Sequence, residues 1–382
     1  MQRWMQGFRA PASTNRNNEW LLVIDEGVPD PERDSGSVRM VEILRILSAQ
    51  GYAVGFMPHD GMAHDKDIAL AHHLDIELIG VHGQPDLVSW LAGRQPVAAL
   101  LCRFHVANAH MPLIRAMQPN ARVLFDTVDL HYVRLTREAE LGVLSAPSST
   151  QLQAIKGQEL QAIRDADITL VVSEVERELL TKAVPTADVR VLSNIHVVTE
   201  ATSGFTSRRD LLFVGGMAHS PNLDAMQWFC HEVLPSIRSQ VPDMTLHIVG
   251  AISAAQRDEL SRFDGVRIHG QLPDLTPLLE TCRISVAPLR YGAGVKGKVN
   301  LAMSHGLPVV MTSIAAEGMS MTDREDALIA DNAADFAEAV LRLHSDAVLW
   351  QKLADAGKNN IRKHFSREIA AETLVGALPR RP

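Results

Sequence analysis

RISVAPLRYGAGVKGKVNLAMSHGLPVVMTS, Arg283–Ser313, is the stretch on which the fold turns. RISVAPL (Arg283–Leu289) is a short apolar run rich in branched side chains, the pattern of a strand covered on both faces in a parallel sheet. Gly292 and Gly294 follow, and then Lys296, Gly297 and Lys298 open a helix that runs to Gly306, a residue suited to the left-handed position just past a helix end. LPVVMTS (Leu307–Ser313) is the next strand. Strand, glycine loop, helix and strand with short joins make a parallel α/β unit.

The same loop is the sharpest chemical signal. Glycines let a ligand come close to the backbone, and unpaired N–H groups at a helix start attract an anion. Two lysines in the first turn stand where the helix dipole prefers acidic side chains, which is costly for a purely structural helix and suits a diphosphate. A surface turn with solvated lysines is the alternative. The loop is not a Walker motif, because Lys298 is followed by Val299, and the GxGxxG dinucleotide fingerprint is absent at both Gly27 and Gly215.

Outward from this stretch the rhythm repeats. DLLFVGG (Asp210–Gly216), MTLHIVG (Met244–Gly250) and VRIHG (Val266–Gly270) read as strands before it, with a helix over Asn222–Leu234. Earlier in the chain the strands expected are Trp20–Pro29, Tyr52–Pro58, Ile76–Gly80, Ala98–Phe104, Arg122–Val128, Ala166–Ser173 and Asp188–Asn194, with helices near Val38–Leu47 and Gln151–Asp165. Residues 1–18 read as a tail, 19–200 as a first Rossmann-like domain and the polar, apolar-poor 201–209 as a linker. Residues 210–358 are expected to form a second Rossmann-like domain. The helical segment 359–382 is expected to pack back on the first domain, and the two parallel sheets to face an interdomain cleft at their strand C-termini.

With 382 residues and 46% hydrophobic content the chain can bury two moderate cores. A formal charge of −8 and scattered basic residues argue against nucleic acid. Three distant cysteines (Cys102, Cys230, Cys282) indicate neither a disulfide framework nor a thiolate zinc site, and fit a reducing, cytoplasmic compartment. The first 20 residues lack the apolar core of a signal peptide, and no stretch reaches the roughly 20 apolar residues of a spanning helix. Their Trp, Phe and Arg side chains leave peripheral contact with the inner face of a plasma membrane open. Sixteen histidines form no HExxH motif, so no metal is expected, and no GxSxG elbow is present.

Four further groups are candidates. DTVDLHYVR (Asp126–Arg134) follows a strand, and in an extended loop Asp129 and His131 point along one side with Arg134 in reach, where His131 could donate to a sugar hydroxyl and Asp129 orient it. A capping Asp and a solvated His are the bland reading. Gly36 and Ser37 precede the first helix and offer N–H groups to an anion, with Arg39 nearby, although Ser37 as an ordinary cap fits equally. Gly215 and Gly216 hold the matching place in the second half, where Asn222 fits a helix cap, and Arg290, which precedes the glycine loop, is a further candidate for the donor. Glu317, followed by Gly318, lies after a strand and could bind ribose or sugar hydroxyls, or face solvent.

GAGVKGKVNLAMSHGLPVVMTSIAAEGM (Gly292–Met319), FVGGMAHSPNLDAMQWF (Phe213–Phe229) and DLHYVR (Asp129–Arg134) together resemble the GT-B-fold glycosyltransferases of the large retaining class called family 4, or glycosyl transferases group 1, over about residues 20–375. The resemblance implies a GT-B fold and transfer of a sugar from a nucleoside-diphosphate sugar to a saccharide or lipid-linked acceptor with retention of configuration. It implies His131 at the reacting sugar, Gly36 and Ser37 in the first loop, and Lys296 or Lys298 at the donor diphosphate. Many members carry two glutamates eight positions apart, where this chain has Ala293 and Leu301, and an Arg and a Lys where it has Gly216 and Asn222. Glu317 is the candidate replacement for one lost carboxylate.

The reaction expected is metal-independent transfer, without a cofactor, in bacterial surface polysaccharide or lipopolysaccharide assembly. Its catalytic residues would be His131, Asp129 and Lys298, the last stabilising charge on the leaving diphosphate. An inverting transferase or nucleotide-sugar epimerase using His131 as base, and an inactive nucleotide-sugar-binding protein, are the rival readings. A homodimer is left open.

Overall fold

The computed structural model describes residues 19–379 apart from 33, 82, 141, 143–146 and 201–202. The expected tail 1–18, with its aromatic and basic side chains, lies outside the described residues. The chain forms two compact units, Met1–Ile195 with Arg367–Pro382, and His196–Ser366.

The first unit runs β1 (Trp20–Asp25), α1 (Ser35–Ala49), β2 (Ala53–Pro58), α2 (Asp65–Leu74), β3 (Ile76–Leu78), α3 (Leu87–Gly93), β4 (Pro96–Cys102), α4 (Phe104–Met117), β5 (Arg122–Asp126), α5 (His131–Glu140), α6 (Ser149–Asp165), β6 (Ile168–Val171), α7 (Glu174–Ala183) and β7 (Val189–Val191). Its described strands form one parallel sheet in the order β3-β2-β1-β4-β5-β6-β7. Alternation along β1 explains the layering. Leu21 and Val23 join the core on one face, with α1, and Leu22 and Ile24 the core on the other, with α4 and α6.

The second unit runs β8 (Arg209–Val214), α8 (Ser220–Trp228), a π-helical turn (Phe229–Val233), α9 (Leu234–Gln240), β9 (Leu246–Val249), α10 (Ala254–Leu260), β10 (Val266–Gly270), α11 (Thr276–Thr281), β11 (Cys282–Ala287), α12 (Gly297–Ser304), β12 (Val309–Met311), α13 (Ser313–Ala316), β13 (Leu328–Ile329), α14 (Ala333–Ser345) and α15 (Ala347–His364). Its sheet is also parallel, in the order β10-β9-β8-β11-β12-β13. The helix α16 (Arg367–Ala377) then belongs to the first unit, as the sequence implied. Ala370, Leu374, Ala377 and Leu378 enter the core beside α1. Arg367 Nε donates to Glu42 at 2.7 Å at one end of α16, and Arg122 and Arg190 donate to its last carbonyls, of Ala377 and Gly376, at 3.1 and 2.6 Å.

Several boundaries differ from the sequence reading. Residues 201–209 are not the joint between units. Arg208 is fully buried, its guanidinium donating to the carbonyls of Ser203, Leu279 and Cys282, and this ties the polar stretch into the second unit. The chain passes between units at Ile195/His196 and again at Ser366/Arg367, so residues 359–364 finish α15 in the second unit instead of starting the returning helix. Helix α8 begins at Ser220, two residues before Asn222, with Pro221 in its first turn. Gly306 keeps its expected role. At φ +61° its N–H reaches Met303 at 2.9 Å and that of Leu307 reaches Ala302 at 2.9 Å, the paired bonds of a Schellman end.

Candidate functional site

In each sheet the strand order reverses next to the first strand of the unit, between β1 and β4 and between β8 and β11. In open parallel sheets ligands collect outside the strand C-termini at this reversal.

In the second unit, β8 and β11 run into Gly215–Gly216 and into the Arg290–Lys298 loop. Lys298 Nζ donates to Asn222 Oδ1 and lies 4.3 Å from the centre of the Phe213 ring. Asn222 Nδ2 in turn donates to the Gly216 carbonyl at 2.9 Å. A Cβ on Gly215 would stand 2.7 Å from Asn222 Nδ2 and 2.9 Å from Lys298 Nζ, so glycine is required there to admit the pair. Among the described residues Lys298 has no carboxylate within ion-pair distance. Burial, reinforced by the charge of Lys296, pulls its amine down to about 7.

Lys296 precedes α12 as its cap residue, buried, with Nζ donating to the Gly294 carbonyl at 2.6 Å and its own N–H to Met319 Sδ at 3.3 Å. No acidic side chain occupies the first turn of α12. Arg290 is half-exposed, and its Nε and Nη2 donate to the two carboxylate oxygens of Asp224. Gly292 and Gly294 adopt φ +138° and +71°. Glu317 follows one helical turn, α13, capped by Thr312, instead of the strand directly, and is half-buried before Gly318.

In the first unit the expected extended loop at Asp129–Arg134 is instead the start of α5. Glu159, a fully buried carboxyl on α6, accepts the N–H groups of His131 and Tyr132 at 3.1 and 3.0 Å and so anchors the first turn from a neighbouring helix. The expected grouping forms all the same. His131 Nδ1 lies 3.1 Å from Asp129 Oδ1 and Arg134 Nε 2.7 Å from Asp129 Oδ2. Burial raises Asp129, but His131 and Arg134 outweigh it and hold the carboxyl below its ordinary range. Burial lowers His131, with Arg134 and Arg103 adding to it against the pull of Asp129. The imidazole is therefore neutral at pH 7 with Nδ1–H toward Asp129, a tautomer assigned from these neighbours, and Nε2 is an acceptor, not the donor expected. Burial pushes Glu159 up to about 7.

The first helix corrects the reading of residues 36–39. Asp34, not Ser37, is the cap, its carboxylate accepting the Ser37 N–H at 2.8 Å, and Gly36 lies in the turn between them. An anion there would have to displace a carboxylate. Arg39 is buried inside the unit, bidentate on Asp126 at 2.5 and 3.1 Å and donating to the carbonyls of Ser193 and Leu192. Asn222 is likewise not a helix cap but the partner of Lys298. Sequence reasoning missed that partnership, 76 positions apart, and also missed Phe213 and Glu159. The only local hint was that Asn222 stands where relatives of the resembled family carry lysine.

Among the described residues no group of three or more His, Cys, Asp or Glu is placed to hold a metal ion, and no helix is long and apolar enough to cross a membrane.

These two sheets and their reversal points define the GT-B class of glycosyltransferase folds, and comparison with known proteins agrees. Sucrose-phosphate synthase from Thermosynechococcus elongatus superposes with a TM-score of 0.69 at 14% identity, over 94% of this chain and 97% of that one. Anabaena HepE, solved in complex with UDP and glucose, gives 0.69 at 12% identity over 94% and 99%. Staphylococcus aureus TarM gives 0.60 at 16% identity over 76% and 57%. Residues 208–346 match the family described as Glycosyl transferases group 1, and the chain is a GT-B-fold protein related to that family. A curated relative, the uncharacterized 44.6 kDa protein in the cps region of Klebsiella pneumoniae, is 31% identical over 140 residues. That match takes in 35% of this chain, which spans about a third (36%) of the relative's length.

Proposed function

We propose that the chain transfers a glycosyl group from a nucleoside-diphosphate sugar to a saccharide or lipid-linked acceptor, with retention of configuration, in the assembly of a bacterial surface polysaccharide on the cytoplasmic side of the membrane. The observation that carries the reading is Lys298. A half-buried ammonium facing an amide and an aromatic ring, at the reversal point of the second sheet and beside a glycine turn, is an incomplete electrostatic arrangement that an anion completes. A leaving diphosphate gathers charge during transfer, and Lys298, Lys296 and the loop N–H groups would stabilise it. His131, held by Asp129, would present Nε2 to a hydroxyl of the transferred sugar. HepE complexed with UDP-glucose and the cps-region relative accord with a nucleotide-sugar donor and a polysaccharide product.

The test is acceptor-dependent release of the nucleotide from UDP-, GDP-, dTDP- and CMP-sugars, a nucleoside diphosphate from the first three and CMP, a monophosphate, from the last. Lys298→Ala should lower kcat/KM for the donor about 100-fold, the loss of one charge-assisted contact, with unchanged folding. Wild-type turnover in Lys298→Ala at saturating and limiting donor would remove the assignment.

One observation favours a second reading. A neutral imidazole backed by a carboxylate is also the arrangement of a general base, and an inverting transfer would use it to deprotonate the acceptor. The anomeric proton of the product, read by NMR, separates inversion from retention.

A further inference from the structure

Between β5 and the Asp129–His131 pair, Val128 stands in the left-handed region at φ +64°. A β-branched side chain is strained there, and such a backbone persists only where its surroundings hold it. Two neighbours do so. Thr127 is pinned to β6, its N–H and its hydroxyl both donating to the Leu170 carbonyl, at 3.0 and 3.2 Å. Asp126, fully buried at the end of β5, accepts the Val128 N–H on Oδ1 at 3.2 Å and closes the turn with its own side chain. The same carboxylate takes the fork of Arg39, whose guanidinium also reaches the carbonyls of Leu192 and Ser193. One buried group on α1 therefore ties the end of β5 to the stretch that follows β7.

What the turn delivers is Asp129. The imidazole of His131 has two acceptors for its Nδ1–H, the Asp129 carboxylate at 3.1 Å and the Asp129 carbonyl at 3.2 Å, and both belong to that one residue. The His131 N–H is held separately, by Glu159. A rotation at Val128 would thus carry Asp129 away from an imidazole whose main chain stays in place. We propose that Arg39 is a positioning residue for His131: through Asp126 it holds the strained turn at Val128, and so sets Asp129 where it fixes the Nδ1–H tautomer and leaves Nε2 as the acceptor. The part that this imidazole plays in transfer rests on the transferase reading above; the geometry does not. Without its fork the buried carboxylate is pushed toward the protonated form, a weaker acceptor for the Val128 N–H, and Val128 is released toward negative φ.

The test uses the full chain with 15N-labelled histidine rings, whose nitrogen shifts distinguish the two neutral tautomers at pH 8, the His131 signals being those lost in His131→Gln. In the parent His131 should carry its proton on Nδ1. Arg39→Lys keeps the charge and loses the fork, and it should make the Nε2–H form the major one while His247 and His269, in the other unit, stay unchanged. Adding Val128→Gly should restore the parent tautomer, because glycine holds φ +64° without help. If Arg39→Lys does not fold, Arg39→Gln/Asp126→Asn, which leaves no buried charge unpaired, takes its place and should give the same shift. Turnover should fall about tenfold in kcat with donor KM unchanged. A His131 tautomer that is the same in the variant as in the parent overturns the proposal even where kcat falls, and so does a double variant that Val128→Gly fails to restore. A parent without turnover removes the transferase reading alone, since the ring-nitrogen comparison needs no substrate.

Discussion

Lys298 concentrates what the sequence could and could not convey. That a lysine opens a helix behind a glycine loop is local information, and it pointed to an anion. That its ammonium rests on Asn222 and Phe213 is not, because strand β8 and helix α12 meet only in the folded sheet. The pairing also relocates a charge. Where the resembled family places a lysine after the first strand of its second domain, this chain has an amide, and Lys298 reaches that amide from α12. Its titration near 7 has two measurable consequences. An anion arriving at Lys298 favours the charged amine, so UDP affinity should decline as pH rises above about 7. Calorimetry in buffers of different ionisation enthalpy should then record proton uptake on binding that disappears in Lys298→Met. For stability the sign is opposite. Between about 7 and the ordinary 10.5 the unfolded chain carries a proton that the folded amine lacks, so this group's contribution to stability increases with pH across that window. Urea midpoints for parent and Lys298→Met should converge toward the upper end of the range.

At the level of elements, strand positions were legible because branched apolar runs closed by Gly or Pro are a local property. All seven strands of the first sheet and five of the second lie where the pattern put them. The two-residue β13 is too short to show any period, and α4 went unread because its start follows β4 without a turn signal. The start of α5 was missed for a different reason. Its anchor for the first two N–H groups is Glu159, 28 positions away from His131, a partnership no local capping pattern announces. Glu159→Ala would leave two amides without their acceptor and should cost about 2 kcal/mol in urea unfolding. It should also displace His131, so that donor turnover falls further than stability alone accounts for. Helix α16 invites a second test. Leu374→Ala, at a buried contact with the core beside α1, should cost about 3 kcal/mol, read as a lower unfolding midpoint. An unchanged midpoint would mean that α16 is not an integral layer of its unit.

Over the whole molecule, four cores, two in each of the separate units, imply two calorimetric transitions. UDP at about one hundred times its Kd should raise the transition of the second unit by the equivalent of about 2.7 kcal/mol. Leu374→Ala should lower the other. A ligand that shifted only the first unit's transition would place the diphosphate in the wrong half. The double crossing of the chain matters also for how the protein is made. Because the ribosome delivers residues 196–366 before 367–379, the middle of the polypeptide can fold while the opening 195 residues still lack a layer of their interior. The earliest-synthesised half is thus the last to mature, and a chaperone guarding nascent chains would find its exposed apolar surface along α1.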